Sequence, residues 1–154
     1  IHNEKEKLYR IAFLYVKNES DSLDIVQDTI YKAYISIGNL KDSSYFSTWL
    51  TRILINTALD YIKRNHKVIP IDQDSLERIV SSERLMLEDK IDLYTAIEGL
   101  AEKYKTVIIL RYYQDLSIKQ IAEFLECPEG TVKTNLHRAI KELKGKVKEA
   151  CINE

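Results

Sequence analysis

The segment from Ser117 to Lys141 places two helical patterns on either side of a short turn, and it constrains the fold more than any other part of the chain. Ser117 and Gln120 have the spacing of a capping box, which predicts the start of a helix that ends near Leu125. Pro128 suits the opening of the next helix, where its missing N–H costs little. Together these signals predict a helix-turn-helix.

The second predicted helix of this pair separates apolar residues from basic ones. Its apolar residues recur at helical spacing and predict a buried side: Val132, Leu136, Ala139, Ile140 and Leu143. Its other sides carry groups that can contact phosphates and base edges: Lys133, Thr134, His137, Arg138 and Lys141. The pattern indicates a DNA-binding helix, although an ordinary amphipathic helix pair with a solvated basic face would share it.

Composition favours a helical protein that does not span a membrane. Among 154 residues there are only four Gly and two Pro, with 45% hydrophobic and 31% charged residues. The longest aliphatic run, Val107 to Leu110, is far short of the roughly 20 residues that a membrane span needs. With no signal peptide visible, we expect a cytoplasmic protein.

Residues suited to catalysis or metal binding are scattered along the chain. His2, His66 and His137 are far apart, and Cys127 and Cys151 form no CxxC pair. The sequence also contains no Gly-rich phosphate-binding loop. We therefore expect no enzyme activity, no metal and no cofactor.

Charge and helical patterns divide the chain into two domains. The net charge is +2 over residues 1–67, −5 over 68–98 and +2 over 99–154. We predict an all-α fold of two small helical domains joined by a flexible, acidic linker, the second domain being a four-helix unit that contains the helix-turn-helix. The predicted helices, besides that pair, cover residues 4–17, 21–37 with Asp21 as N-cap, 45–65, 84–97 and 103–113.

The second and third predicted helices each have an apolar stripe and a polar face. The stripes are Val26, Ile30, Ala33, Tyr34 and Ile37 on the second helix, and Phe46, Leu50, Ile53, Thr57 and Tyr61 on the third. The opposite faces carry Asp24, Gln27, Asp28 and Tyr31 on the second, and Trp49, Arg52, Asn56, Asp60 and Lys63 on the third. The paired carboxylates of Asp24 and Asp28 allow three interpretations: a partner-binding surface, a carboxylate or magnesium site, or a solvated helix face.

Four stretches together resemble one protein family. Residues 21–29 resemble the D-x-x-D-[LI]-V-Q-[ED]-[TA] stretch of extracytoplasmic-function sigma factors of bacterial RNA polymerase, and residues 46–64 resemble their F-x-T-W-L-x-R-I-x-x-N-x-A-x-D-x-x-R-R segment. Residues 104–112 and 130–139 are similar to the C-terminal half of the same family. The resemblance covers nearly the whole chain in the right order.

This resemblance implies a function and a set of partners. Residues 1–67 correspond to sigma region 2, 68–83 to the linker and 84–154 to sigma region 4. A protein of this kind binds core RNA polymerase, through the coiled coil of the largest subunit and, for the C-terminal domain, the flap. It directs transcription initiation from specific promoters, often in a stress or envelope response. An anti-sigma factor, commonly membrane-anchored, would be a further partner and could hold the protein at the inner face of the membrane.

The resemblance also assigns residues to three surfaces. The polymerase-binding surface consists of Asp24, Gln27, Asp28 and Tyr31. The minus-ten surface, which would melt the promoter and hold a flipped base near Lys41 to Ser44, consists of Ser43, Ser44, Tyr45, Trp49, Arg52, Asn56, Lys63 and Arg64. The minus-thirty-five surface consists of Thr131, Lys133, Thr134, Asn135, His137, Arg138 and Lys141. The linker would thread towards the polymerase channels, unless it is only a solvated spacer.

Two departures from the family pattern and one alternative function need testing. Glu126 stands at a turn position where Gly is usual, so we expect a left-handed residue there at a cost of about 1 kcal/mol. Asn135 replaces a common Arg, which leaves the preferred promoter sequence open. The alternative is a regulator with a LuxR-like helix-turn-helix, which would need an α/β receiver domain that residues 1–67 are too short and too poor in strand patterns to form.

Overall fold

The computed structural model describes the backbone of residues 2–66 and 88–152, and the side chains of residues 4–65 and 93–147. Within these ranges every regular element is helical, which confirms the predicted all-α fold. The helices are α1 (His2–Val16), α2 (Glu19–Ser36), α3 (Phe46–His66), α4 (Glu88–Glu98), α5 (Glu102–Ile108), α6 (Ile118–Leu125) and α7 (Glu129–Ile152). The predicted linker at 68–83 and the predicted start of a helix at 84 lie outside the described residues.

Helices α1, α2 and α3 pack against one another and form the N-terminal domain. Its core contains fully buried aliphatic side chains from each helix, such as Leu8, Ile25 and Leu54. Thr29 is also fully buried, and its hydroxyl donates to the Ile25 carbonyl at 2.7 Å, so the polar group is satisfied inside its own helix. Three short helices therefore suffice to enclose a continuous core.

The start of α2 differs from the prediction. Asn18, and not Asp21, is the N-cap, because the Asn18 side-chain oxygen accepts a hydrogen bond from the Asp21 backbone N–H at 2.9 Å. Asp21 lies in the first turn instead, where a carboxylate interacts favourably with the helix dipole. Both residue types cap helices well, and only the backbone geometry distinguishes them.

The predicted apolar stripe of α2 is wrong in three of its five residues. Val26 and Ala33 are buried as expected, together with Ser22, Ile25 and Thr29. In contrast, Ile30, Tyr34 and Ile37 are 42%, 79% and 48% exposed. The stripe that faces α1 and α3 therefore includes Ile25, Thr29 and Ala33, which are four residues apart. A second apolar face of α2 remains uncovered.

The C-terminal domain consists of α4 to α7, and its helix-turn-helix forms as predicted. The Ser117 side chain accepts from the Gln120 N–H at 3.2 Å, and the Gln120 side chain accepts from the Ser117 N–H at 2.8 Å. Glu126 has φ of 53° and ψ of 44°, which confirms the expected left-handed residue at the turn. Ahead of this unit, the predicted helix 103–113 is interrupted, because α5 continues as a π-helical turn over Ile109–Tyr113.

The two domains contact each other directly. The Tyr94 hydroxyl of α4 donates to the Arg10 carbonyl of α1 at 2.8 Å. The Tyr15 and Thr106 hydroxyls, on α1 and α5, are hydrogen-bonded at 2.7 Å in a buried position. Nothing in the local sequence patterns predicted these contacts.

Candidate functional site

The basic face of α7 is exposed along the predicted recognition helix. Its apolar side is covered by the rest of the domain, with Val132 and Ala139 fully buried and Leu136 nearly so. The remaining sides place Thr131, Lys133, Thr134, His137, Arg138 and Lys141 in solvent, with Asn135 half-buried. All seven residues of the predicted minus-thirty-five surface therefore lie on one helix, and six of them are exposed.

The Thr134 hydroxyl is less available to a ligand than its exposure suggests. Its hydroxyl donates to the Gly130 carbonyl at 2.9 Å, one turn earlier in α7. The hydroxyl proton is therefore engaged within the helix, and its oxygen can only accept from a ligand in this arrangement. Lys133, Arg138 and Lys141 carry the positive charge of this surface.

A short 3-10 turn (Ser43–Tyr45) precedes α3 and positions the start of the predicted minus-ten surface. Asp42 caps the turn, because its carboxylate accepts from the Ser44 N–H at 2.9 Å and from the Ser44 hydroxyl at 2.7 Å. These two hydrogen bonds lower the pKa of Asp42 below its usual value. The carboxylate thus holds the turn while Ser43, Ser44 and Tyr45 remain exposed.

Three aromatic residues lie where the turn meets the start of α3. Tyr45 is 59% exposed, and the rings of Phe46 and Trp49 lie 6.0 Å apart at a tilt of 40°. Phe46 is 38% exposed, so its predicted place in the core is wrong. It is the first residue of α3, and its ring packs on the half-buried Trp49. Together these rings form a platform of the kind on which unpaired bases stack.

The remaining residues of the predicted minus-ten surface lie along α3. Arg52, Asn56 and Lys63 are exposed along one side of the helix, as predicted. Arg64 instead lines a cleft of about 280 Å³ between α2 and α3, beside Asp24 and Asp28. The structure therefore places this residue with the acidic side chains of α2.

One carboxylate on the acidic face of α2 forms an ion pair with a lysine. Asp28 lies 2.9 Å from Lys32, whose ammonium also donates to the Thr57 hydroxyl at 3.1 Å. Asp24 and Gln27 are exposed. The ammonium of Lys32 offsets the negative charge that a bound divalent cation would require. Among the described residues, no three His, Cys, Asp or Glu side chains come together as a metal site.

Next to these carboxylates lies the uncovered apolar face of α2, which we call the α2 apolar patch. It consists of Leu23, Ile30, Tyr31, Tyr34 and Ile35, together with Ile37 in the short turn that follows the helix, each more than 40% exposed. From the sequence, only Tyr31 is expected on a functional surface, and Ile30, Tyr34 and Ile37 are expected in the core. The missed signal is that α2 carries more apolar residues than one buried stripe can hold.

Lys105 is a second residue that the sequence analysis missed. Its side chain is 3% exposed, and its ammonium donates to the Leu14 carbonyl and lies 5.5 Å from the centre of the Tyr15 ring. Burial, together with the nearby charge of Lys17, lowers the pKa of Lys105 to about 8. Burial likewise raises the pKa of Tyr15.

None of the helices that the structure describes is long and apolar enough to cross a membrane. The described part of the N-terminal domain, residues 2–66, contains helices and turns and no strand. It therefore lacks the α/β receiver that the LuxR-like alternative requires.

Comparisons with known proteins agree across both domains. The sigma-70 region 2 family matches residues 1–68, and the sigma-70 region 4 family matches residues 90–143. RNA polymerase sigma factor SigV of Bacillus subtilis is 38% identical over 92% of this chain and 84% of its own length. The ECF RNA polymerase sigma factor SigW of the same organism is 30% identical over 94% of this chain and 85% of its own.

The fold also has a counterpart among solved structures. The crystal structure of the sigma factor RpoE in complex with the anti-sigma factor NepR from Bartonella quintana matches with a TM-score of 0.75. The match covers 94% of this chain and 92% of the other, at 24% sequence identity. At that identity the likeness concerns the fold.

Proposed function

The chain belongs to the extracytoplasmic-function sigma factors of bacterial RNA polymerase, and from this premise we propose how its surfaces divide the work of transcription initiation. It is a DNA-binding initiation factor that binds core polymerase and directs it to specific promoters. The proposal assigns polymerase docking to α2, minus-ten recognition and strand opening to the 43–45 turn and α3, and minus-thirty-five recognition to α7. We also propose that it contributes no catalytic group of its own.

The observation that carries this proposal is the α2 apolar patch beside Asp24 and Gln27. A helix that leaves two tyrosines and several aliphatic side chains in solvent is typical of a surface that a protein partner covers. The occupant we propose is the coiled coil of the largest polymerase subunit. Aromatic residues such as Tyr31 and Tyr34 would supply the buried contact area, and the carboxylates would orient the partner through charge.

We propose that DNA recognition is split between the two domains. Residues 1–67 would act as region 2 and residues 84–154 as region 4, with the latter also docking on the flap of the polymerase. The exposed Lys133, Arg138 and Lys141 support duplex binding by α7, because cations and polar side chains on one helix face suit a major groove. The acidic segment 68–83 would run through the polymerase channels, a role that lies outside the described residues.

Control by an anti-sigma factor forms part of the proposal. A sigma factor of the same fold has been crystallised with an anti-sigma factor, which supports a partner of that class for this chain. A membrane-anchored partner would retain this cytoplasmic protein at the inner face of the membrane until a stress or envelope signal releases it.

Transcription from a promoter library tests the function as a whole. Core RNA polymerase with the protein should produce transcripts from a subset of templates that share two elements about 25 base pairs apart, and core polymerase alone should not. Equal transcript profiles with and without the protein would contradict the assignment.

The tyrosines of the α2 apolar patch should behave as docking anchors. We expect the Tyr31→Ala/Tyr34→Ala variant to bind core polymerase at least 10-fold more weakly, because truncating a buried interface aromatic costs about 2 kcal/mol or more. Surface plasmon resonance with immobilised core polymerase measures the loss. Tyr112→Ala is the matched control, since Tyr112 is 58% exposed in the other domain and should leave affinity unchanged.

The basic residues of α7 should be needed for the minus-thirty-five element. Arg138→Ala/Lys141→Ala is expected to lower transcription from promoters that depend on this element by 10-fold or more, because each lost contact costs about 1–3 kcal/mol. Both side chains are exposed, so circular dichroism should remain unchanged. Lys103→Ala, at an exposed residue of α5, controls for the loss of a positive charge. Full activity of the double variant would remove α7 from this role.

A further inference from the structure

We propose that Gly130 and Thr134 form a base-reading point on α7. At this point the helix backbone comes close to the DNA, and the Thr134 hydroxyl accepts a hydrogen bond from the amino group of an adenine or a cytosine. The inference rests on the proposed role of α7 in binding the minus-thirty-five duplex. It adds Gly130 to that surface, and it names the chemical group that Thr134 recognises.

Gly130 and Thr134 lie on the side of α7 that faces away from the core. Thr134 is two residues after Val132 and two residues before Leu136, both of which are buried. Two residues correspond to a rotation of about 200° around the axis of an α-helix, so Thr134 lies almost opposite both apolar side chains. Gly130 precedes Thr134 by one turn and lies on the same side, and both residues are exposed.

The proton of the Thr134 hydroxyl is engaged within the helix. The hydroxyl donates to the Gly130 carbonyl at 2.9 Å, so its oxygen can accept a hydrogen bond from a ligand but cannot donate one. The phosphate oxygens of DNA only accept hydrogen bonds, and the sugars carry no 2′-hydroxyl that could donate one. The Thr134 hydroxyl therefore has no hydrogen-bond partner on the DNA backbone.

Two groups on the base edges of the major groove can donate to such an acceptor. They are the N6 amino group of adenine and the N4 amino group of cytosine, whereas guanine presents the acceptors N7 and O6, and thymine presents O4 and a methyl group. The exposed Lys133, Arg138 and Lys141 are donors, so they suit phosphates and guanine instead. Thr134 is thus matched to adenine or cytosine.

Gly130 leaves room for the DNA beside this hydroxyl. Glycine destabilises a helix relative to alanine, and a fold needs it where φ is positive or where another atom leaves no space for a Cβ. Neither reason applies to Gly130. Its φ is not positive, and no atom of the described residues outside its own turn of helix lies within 4 Å of the position that its Cβ would occupy. Glycine also serves where a backbone approaches a ligand closely, which suits a residue one turn from Thr134.

Gly145 provides a matched control for this role. It is an exposed residue of the same helix with equally open surroundings, but it lies about 22 Å further along the axis than Gly130. Holoenzyme assembled from core polymerase and Gly130→Ala should bind a promoter that depends on the minus-thirty-five element at least 10-fold more weakly in a gel shift. Gly145→Ala should bind like the wild type.

Thermal unfolding separates a DNA contact from a requirement of the fold. Both alanine variants replace glycine by a better helix former, so neither should unfold at a lower temperature than the wild type. A lower unfolding temperature for Gly130→Ala would show that the fold needs this glycine, and normal promoter binding would show that the DNA does not come close to it. Either result overturns the role of Gly130.

Base analogues identify the group that Thr134 recognises. Each adenine of the element, on either strand, is replaced in turn by 2-aminopurine, which still pairs with thymine but carries its amino group in the minor groove. Each cytosine is replaced in turn by 2-pyrimidinone, which lacks the amino group. At one position the analogue should weaken binding of the wild-type holoenzyme about 5-fold, as expected for one lost hydrogen bond. Whether that position holds adenine or cytosine distinguishes the two sources.

The Thr134→Val variant completes a double-mutant cycle with these analogues. Valine has nearly the same shape but lacks the oxygen, so Thr134→Val should bind the natural promoter about 5-fold more weakly and lose nothing further with the analogue at that position. Thr134→Ser retains the hydroxyl and should behave like the wild type. If no analogue has an effect that depends on Thr134, the recognition of an amino group is overturned.

These outcomes are distinguishable from a failure of the proposed function. If Arg138→Ala/Lys141→Ala lowers transcription while Gly130→Ala and Thr134→Val bind the promoter normally, α7 binds the duplex and only the base-reading point is overturned. If none of these variants has an effect, the base-reading point and the assignment of α7 are both overturned.

Discussion

Replacing Asp24 and Asp28 together by lysine is expected to abolish detectable binding to core RNA polymerase, a loss of about 100-fold or more. The two carboxylates lie one helical turn apart on α2, next to the α2 apolar patch, so both would face the proposed partner. Reversing a charge at a complementary interface removes an attraction and adds a repulsion, and each effect costs several kcal/mol when the groups are desolvated. The measurement is a pull-down of core polymerase with the tagged variant.

The fold should survive this double substitution. The Asp28–Lys32 pair is a solvent-exposed i,i+4 ion pair, which contributes about 0.3–0.5 kcal/mol to stability. Helicity by circular dichroism should therefore match the wild type. Glu6→Lys/Glu123→Lys makes the same change in net charge at exposed residues of other helices, and it should bind polymerase normally. If the α2 variant also binds normally, Asp24 and Asp28 belong to a solvated helix face.

Replacing Asn56 by alanine is expected to reduce promoter opening by about 10-fold while leaving the initial closed complex intact. Capture of unpaired bases stabilises only the melted state, so losing one contact shifts that equilibrium selectively. Permanganate footprinting measures opening, and gel-shift assays at low temperature measure the closed complex. Arg52→Ala should show the same defect, but it also removes the contacts to Phe124 and Glu126, so Asn56→Ala is the cleaner variant.

A pre-melted template separates this role from a general loss of affinity. A bubble at the minus-ten element supplies the opening free energy in advance and should restore most of the activity of Asn56→Ala. Asp60→Ala, an exposed position one turn later on the same side of α3, is the control and should open duplex promoters normally. If Asn56→Ala melts duplex DNA like the wild type, or the bubble gives no rescue, α3 is not the melting surface.

Local sequence signals were sufficient to predict the helices and the helix-turn-helix. A capping box, a turn and a periodic apolar side each act over one or two helical turns, so Ser117, Gln120 and Val132 predict their own environment correctly. The left-handed backbone conformation of Glu126 is also a local feature, because the geometry of the turn requires it. The exposure of the basic residues of α7 is predicted in the same way, because these residues lie away from the buried side of that helix.

Only the tertiary structure decided which apolar residues are covered. Ile30, Tyr34 and Phe46 look like core residues because helical periodicity describes a helix alone, whereas burial depends on where its neighbours end. Helix α2 has enough apolar residues for two faces, and α1 and α3 cover one of them. The uncovered face is the one proposed here to bind polymerase.

The contacts between the two domains show the same limit over a greater distance. Lys105 and Thr106 contact Leu14 and Tyr15, which are 91 residues away in the chain, across a domain boundary. In the sequence, Lys105 is a charged residue two positions after Lys103, and it predicts a solvated position. Its burial depends on the free energy of docking two folded domains, in which the Leu14 carbonyl at the end of α1 gains a hydrogen-bond donor from the other domain. Helix propensity and apolar periodicity do not describe contacts between domains. The helices can therefore be predicted from the sequence, whereas their docking is seen only in the tertiary structure.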